Sequence, residues 1–300
     1  MGKAVGLKMY KVEYMTIYVN GHFVKESEGK ISVLDLGLLR GFGVFDYLRT
    51  YHGRPFHLKE HLQRLSYSAE QIGLHLPDSL QQVERLILEL LEKNGYPESS
   101  IKIVLTGGLS ADQLLPEQKS SLIILVYPLK PFPERCYSQG IKVTTTTLSR
   151  SIPTSKTLQY TPAIIALQQA KAVDAQEALY LNAQGEILEA TTSNFFAFKE
   201  GALFTPYSDE VLLGITREVV LRVAEGHFPL KIAPIPYREV ETFEEAFITS
   251  SNKEIMPVVQ IDGHRIGNGT VGPKTQKVMA IFAAYTKKNA WPELRIARHQ

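Results

Sequence analysis

Apolar residues on either side of Asn20-Gly21 predict a β-hairpin over residues 17–24, closed by a two-residue turn. Residues 44–51 are rich in aromatic and β-branched side chains and predict a strand, which His52-Gly53-Arg54-Pro55 turns. Leu58, Leu62, Leu65 and Ala69 recur at helical spacing and predict a helix over 58–71. Val83, Ile87, Leu90 and Leu91 predict another over 81–93. Residues 101–106 and 121–127 are strand-like.

Three prolines then crowd into residues 128–134, a stretch that suits neither a sheet nor a helix interior, and this is the expected linker. Beyond it the pattern predicts strands over 141–147, 178–182, 186–198 and 245–250, with a Gln184-Gly185 turn between the second and third. Helices are predicted over 163–172, 217–224 and 274–285, and a second hairpin over 261–266. Strands and helices mix without regular βαβ alternation, so the expected class is α+β in two domains. The boundaries read as an extension over 1–15, a small α/β domain over 16–130, a loop over 131–137 and a larger domain over 138–300.

Composition narrows the function classes. The 300 residues include 33 Lys+Arg against 31 Asp+Glu, a net charge of +2 that offers no footprint for nucleic acid. The single cysteine, Cys136, excludes an intrachain disulfide and a cysteine metal cage. The eight histidines are scattered along the chain. Neither a signal-peptide core nor an apolar run long enough to span a membrane is visible, so the expectation is a cytoplasmic protein. No GxGxxG or GxxxxGK[ST] loop occurs.

Three segments carry candidate chemistry. Lys156 has Tyr160 four residues on, which on a helix would share its face. Glu189 is a lone acid before five uncharged residues, and Gly214-Ile215-Thr216 opens an amphipathic helix. Each has an ordinary reading: a surface lysine, a solvent-facing strand acid, a threonine N-cap. Together they are the parts that pyridoxal 5'-phosphate needs, namely an amine for its aldehyde, an acid for its ring nitrogen and N–H donors for its phosphate. Ser250-Ser251-Asn252 could add donors, and Arg64 either snorkels outward or reaches the phosphate. Arg40, flanked by glycines and apolar residues, either pairs an acid in a loop or grips a substrate carboxylate with two hydrogen bonds.

From residue 17 to 282 these segments resemble the fold-type IV pyridoxal-phosphate enzymes. The family takes in branched-chain and D-amino acid aminotransferases, (R)-amine transaminases and aminodeoxychorismate lyase. The likeness lies in Tyr18-Val19-Asn20-Gly21, His61-Leu62-Gln63-Arg64-Leu65, Lys156-Thr157-Leu158-Gln159-Tyr160, Glu189-Ala190-Thr191-Thr192-Ser193-Asn194 and Leu213-Gly214-Ile215-Thr216-Arg217, in that order. The resemblance implies that Lys156 forms the Schiff base and shuttles the proton, Glu189 pairs with the ring nitrogen and Tyr160 touches the ring hydroxyl. It implies Arg64, Ile215, Thr216, Ser250 and Ser251 around the phosphate, Leu213 against the ring face, and Arg40 and Asn252 toward substrate. It also implies a homodimer whose subunits share active sites.

The chain departs from the family's pattern in places. Gln159 stands where asparagine is usual, and Leu36 where arginine is common. The loop after Thr106 lacks the Arg-x-His trap of the best-known D-amino acid aminotransferases, and the strand around Ile101-Lys102-Ile103 lacks the branched-chain enzymes' arginine. The lyase's Thr-Thr is replaced by Asp46-Tyr47. Arg40 resembles the carboxylate-binding arginine of a less typical D-amino acid aminotransferase group. The expected activity is amino transfer between an amino acid and a 2-oxo acid. D-amino acids are favoured over branched-chain L-amino acids, with a lyase as the further alternative.

Overall fold

The computed structural model describes residues 15–289 apart from 118 and 207. Of the extension expected over 1–15, all but Met15 lies outside the described residues. Two sheets divide the chain. The first takes β1 (Thr16–Val19), β2 (His22–Lys25), β3 (Gly43–Tyr51), β4 (Arg54–Pro55), β5 (Ser99–Thr106) and β6 (Ser121–Pro128), in the order β2-β1-β6-β5-β3-β4. Asn20 and Gly21 both have positive φ, 45° and 95°, as the expected hairpin turn requires. Helices α1 (Leu36–Arg40), α2 (Leu58–Glu70) and α3 (Leu80–Asn94) accompany this sheet. Leu62 and Leu65 of α2 and Ile87 and Leu90 of α3 are buried with Ile101, Ile103 and Ile124 of the sheet in one core. Truncating any one of them to alanine costs about 2–5 kcal/mol.

The chain leaves the first sheet through residues 129–134 and a short helix, α4 (Arg135–Ser138). Pro128, expected in the linker, instead ends β6 opposite Ser99, because a proline is tolerated as a terminal strand residue. The second sheet holds β7 (Ile141–Thr146), β8 (Glu177–Leu181), β9 (Glu186–Ala190), β10 (Ser193–Lys199), β11 (Ala202–Thr205), β12 (Leu230–Ile232), β13 (Ile235–Pro236), β14 (Glu245–Ser250), β15 (Glu254–Ile261) and β16 (His264–Arg265). Around it lie α5 (Thr161–Ala172), α6 (Ile215–Ala224) and α7 (Pro273–Asn289). Most pairings are antiparallel, but α5 joins the parallel pair β7–β8, and α6 lies between the parallel strands β11 and β12. Phe196, Phe198 and Phe247 sit in a core with Val219 and Val220 of α6 and Val278 and Phe282 of α7.

Two sequence expectations are corrected. The single strand expected over 186–198 is two strands, with a tight turn at Thr191-Thr192 pairing Ala190 with Ser193. The hydroxyls of that turn donate to the buried Glu177 carboxylate, which holds the break in place. Lys156 is not one helical turn from Tyr160. It lies in an extended segment whose backbone pairs with the start of β3: Phe45 N donates to Lys156 O (2.9 Å) and Leu158 N to Gly43 O (2.9 Å). Tyr160 is the N-cap of α5. The lysine therefore belongs in sequence to the second half of the chain and in pairing to the first sheet, so it stands where the two halves meet. No helix among the described residues is long and apolar enough to cross a membrane.

Candidate active site

A cavity of about 420 Å³ opens between the two halves, lined by Lys156, Arg64, Tyr160, Glu189, Ile215, Thr216, Ser250, Ser251 and Asn252. Nine of the eleven candidate residues thus meet at one place, although they come from six elements or turns. Two do not. Leu213 is 48% exposed and Leu212 takes the wall position, while the Leu213 carbonyl accepts from Arg64 Nη1 (3.3 Å). Arg40 is the last residue of α1, exposed, with Nη1 donating to Leu39 O (3.4 Å). It does not line this chain's cavity.

The amine of Lys156 is crowded by protein. Its Nζ lies 4.6 Å from the centre of the Phe45 ring. Desolvation and then the Arg64 guanidinium push its pKa down from 10.5 to about 7, against the pull of Asp46. A substantial fraction of this amine is therefore neutral near pH 7, able to act as a nucleophile or to hold and release a proton. Tyr160 packs edge-on against the same Phe45 ring at 5.4 Å, and burial raises its phenol.

One end of the cavity is built for an anion. Helix α6 starts there with Gly214 as N-cap, and no side chain among the described residues caps it. Thr216, expected as a possible N-cap, is instead the second residue of the helix and is buried at the cavity wall. The first-turn N–H groups and the helix dipole favour negative charge. A Cβ on Gly214 would come within 2.0 Å of Asn194 Oδ1, so a larger residue there would push aside the amide that donates to Glu189. Arg64 is held toward this end by Asp46. Its Nε donates to Oδ2 (2.9 Å) and its Nη2 to Oδ1 (2.8 Å), while His61 Nδ1 lies 2.7 Å from Oδ1. Burial alone would raise the Asp46 pKa. The Arg64 and His61 charges and hydrogen bonds outweigh it and hold the carboxyl well below its usual range.

The other end is built around Glu189. Its Oε1 accepts from Arg150 Nη1 (2.6 Å), and its Oε2 accepts from Asn194 Nδ2 (3.2 Å) and Leu212 N (3.2 Å). Arg150 Nη2 also donates to Ser155 O, bracing the segment before Lys156. Burial raises the Glu189 pKa and Arg150 pulls it back, with the net direction upward. Arg150, Asp46, His61 and Asn194 were not singled out from sequence. Arg150 stands between two serines with no motif around it. Asp46 alone carried a signal, as a charge inside an apolar strand.

The donor set fits a phosphorylated pyridine aldehyde. The hydroxyl of Thr249 at the cavity wall is buried and has no partner among the described residues, so it has a hydrogen bond to give. An anion cradle, a low-pKa amine and a braced acid in one cavity define a pyridoxal-phosphate enzyme.

The comparisons with known proteins agree. The chain belongs to the class IV aminotransferases, whose family model matches residues 43–261, and these enzymes work with pyridoxal 5'-phosphate. It is 35% identical over 274 residues to a Methanocaldococcus jannaschii protein provisionally named a branched-chain-amino-acid aminotransferase, covering 89% of this chain and 95% of that one. It is 30% identical over 282 residues to the D-alanine aminotransferase of Staphylococcus epidermidis, covering 91% and 99%. The structure superposes on the branched-chain amino acid aminotransferase of Escherichia coli with a TM-score of 0.86 at 25% identity, covering 95% of this chain and 98% of that one. On the enzyme of Thermoproteus uzoniensis, solved with norvaline, the TM-score is 0.84 at 29% identity, covering 91% and 95%.

Proposed function

We propose that this class IV aminotransferase moves an amino group between an α-amino acid and a 2-oxo acid by a ping-pong reaction, with D-amino acids as its favoured donors. The carrying observation is the Lys156 amine, brought to about 7 between an anion cradle and a braced carboxylate. Arg64, the N–H groups of Ile215 and Thr216, and the hydroxyls of Thr216 and Ser251 hold the phosphate, with Ser250 close by. Glu189 pairs with the ring nitrogen and Tyr160 with the ring hydroxyl. Bound there, the cofactor supplies an electron sink for charge developing at the substrate Cα. Lys156 Nζ takes and returns the Cα proton, a task that suits a pKa near the working pH.

Arg40 would grip the substrate carboxylate in a second copy's cavity. Support comes from the apolar face around it: Val33, Leu38, Leu114 and Leu115 are each 61% exposed or more, and the Asp35–Leu109 bridge ties α1 to the loop that carries the latter pair. Such a face is suited to a homodimer interface. One cysteine and the unremarkable charge support a cytoplasmic location. Branched-chain L-amino acids are the second reading, favoured by the names of three of the four relatives compared above and by the Phe45, Tyr47 and Tyr127 side chains in the cavity wall. Half-reactions with D- and L-amino acids, followed by the visible absorbance of the holoenzyme, decide between them. Faster consumption of D-alanine than of L-leucine is expected, and the reverse order overturns the preference. In the same assay Arg40→Ala should raise KM for amino acids but not for amines without a carboxylate. Equal effects on both remove Arg40 from substrate binding.

A further inference from the structure

Behind the cavity wall lies a buried ion pair with a directional hydrogen-bond chain leading out of it. Lys253 and Glu177 are 7% and 1% exposed, with Nζ 3.0 Å from Oε2. Lys253 Nζ also donates to Thr192 Oγ1 and to Ser193 Oγ (3.1 Å), so all three ammonium protons are used. Thr192 passes its own proton to Glu177 Oε2 (2.7 Å). Ser193, occupied as an acceptor, donates to Ser250 Oγ (3.4 Å), and Ser250 donates to Asn252 Oδ1 (2.9 Å). Thr192, Ser193, Ser250 and Asn252 all line the cavity. Each hydroxyl in the chain both accepts and donates, and the donors run outward from the ammonium. The tail of the chain therefore occupies the carbonyl oxygen of Asn252 and leaves the amide N–H₂ as that side chain's free polar end.

We propose that Lys253–Glu177 is a positioning pair that orients Asn252 to present N–H donors to a substrate carboxylate. This rests on the aminotransferase reading for the identity of the substrate, but not for the orientation of Asn252. Neither residue of the pair lines the cavity. A neutral pair in their place leaves Ser193 and Ser250 free to reverse, and Asn252 free to turn its carbonyl toward the ligand.

The test is calorimetric binding of 4-methylvalerate, with 4-methylvaleramide as the neutral control, to the holoenzyme and its variants. Lys253→Met alone would leave Glu177 buried and unpaired, so the informative variant is Lys253→Met with Glu177→Met, which removes both charges. The double variant should fold but melt below the wild-type temperature, because the Thr191 and Thr192 hydroxyls lose their acceptor, and it should bind the carboxylate about tenfold more weakly and the amide unchanged. Lys253→Arg, which keeps the cation beside Glu177, should keep carboxylate binding near the wild-type value. Equal affinity of wild type and double variant for 4-methylvalerate overturns the proposal, as does a loss shared equally by acid and amide. A protein that shows the expected binding pattern yet transfers no amino group refutes the aminotransferase reading and leaves the positioning role standing.

Discussion

Asp46 and Glu189 are both buried carboxylates paired with arginine, yet their acidities move in opposite directions. Asp46 sits inside the first half of the chain and accepts from Arg64 twice, from His61 and from Tyr47 N (2.7 Å). Its pKa falls, so it stays ionised and holds its arginine. Glu189 meets one guanidinium, one amide and one backbone N–H, and faces the cavity. Its pKa rises because burial outweighs those partners. The saturated carboxylate is a clamp for another side chain. The less saturated one keeps capacity for an incoming cationic group, such as a protonated ring nitrogen. Number of donors, rather than burial, separates support from chemistry here.

Neutralising each acid in turn is the direct way to break that comparison. Glu189→Gln keeps the shape and removes the charge next to the proposed ring nitrogen. A loss of about a hundredfold or more in kcat is expected, with cofactor binding nearly kept. Single-turnover kinetics check this, and an unchanged kcat would make Glu189 a structural partner of Arg150. Asp46→Asn should do the reverse. Arg64 loses its anchor, and affinity for pyridoxal 5'-phosphate falls about ten- to hundredfold, the scale of a charge-assisted hydrogen bond, while affinity for pyridoxal without the phosphate holds. Equal losses for both ligands would show that Asp46 serves the fold and not the anion end.

How much of this was legible beforehand differs between the two ends. Arg64 and Thr216 lie on or at the start of amphipathic helices, where apolar spacing shows the element and implies which residues stand at its edge. Lys156 was found but misplaced. A lysine and a tyrosine four apart look helical locally, and only pairing with a distant strand, through Phe45 and Gly43, makes that segment extended. Arg150 was invisible because nothing in Ser149-Arg150-Ser151 distinguishes it from a loop arginine. Its role exists only once β9 brings Glu189 within 2.6 Å. Both sheets were anticipated in most of their strands, but β15 was expected only at Ile261, Arg54-Pro55 was expected as a turn rather than β4, and β11, β12 and β13 were missed. The last three are two to four residues long and too short to show alternation. The break at Thr191-Thr192 was missed for another reason. β-branched residues read as strand, and the buried Glu177 that turns them comes from β8.

The smallest expected effect sharpens the comparison most, because it reads both acids through one amine. Lys156 is lowered to about 7 chiefly by desolvation and by Arg64, while Asp46 and, more weakly, Glu189 raise it. Below that value Nζ is protonated and unreactive; above it the amine is free, some units before an ordinary lysine. Acylation of Lys156 in the apoprotein, read residue by residue by mass spectrometry, should therefore rise with pH through about 7. Asp46→Asn removes an anion and should move that midpoint down, whereas Arg64→Gln removes a cation and should move it up. Glu189→Gln should shift it downward by less than Asp46→Asn does. A larger shift from Glu189 than from Asp46 would place the amine closer to the acid end of the cavity, and would reverse which carboxylate governs its charge.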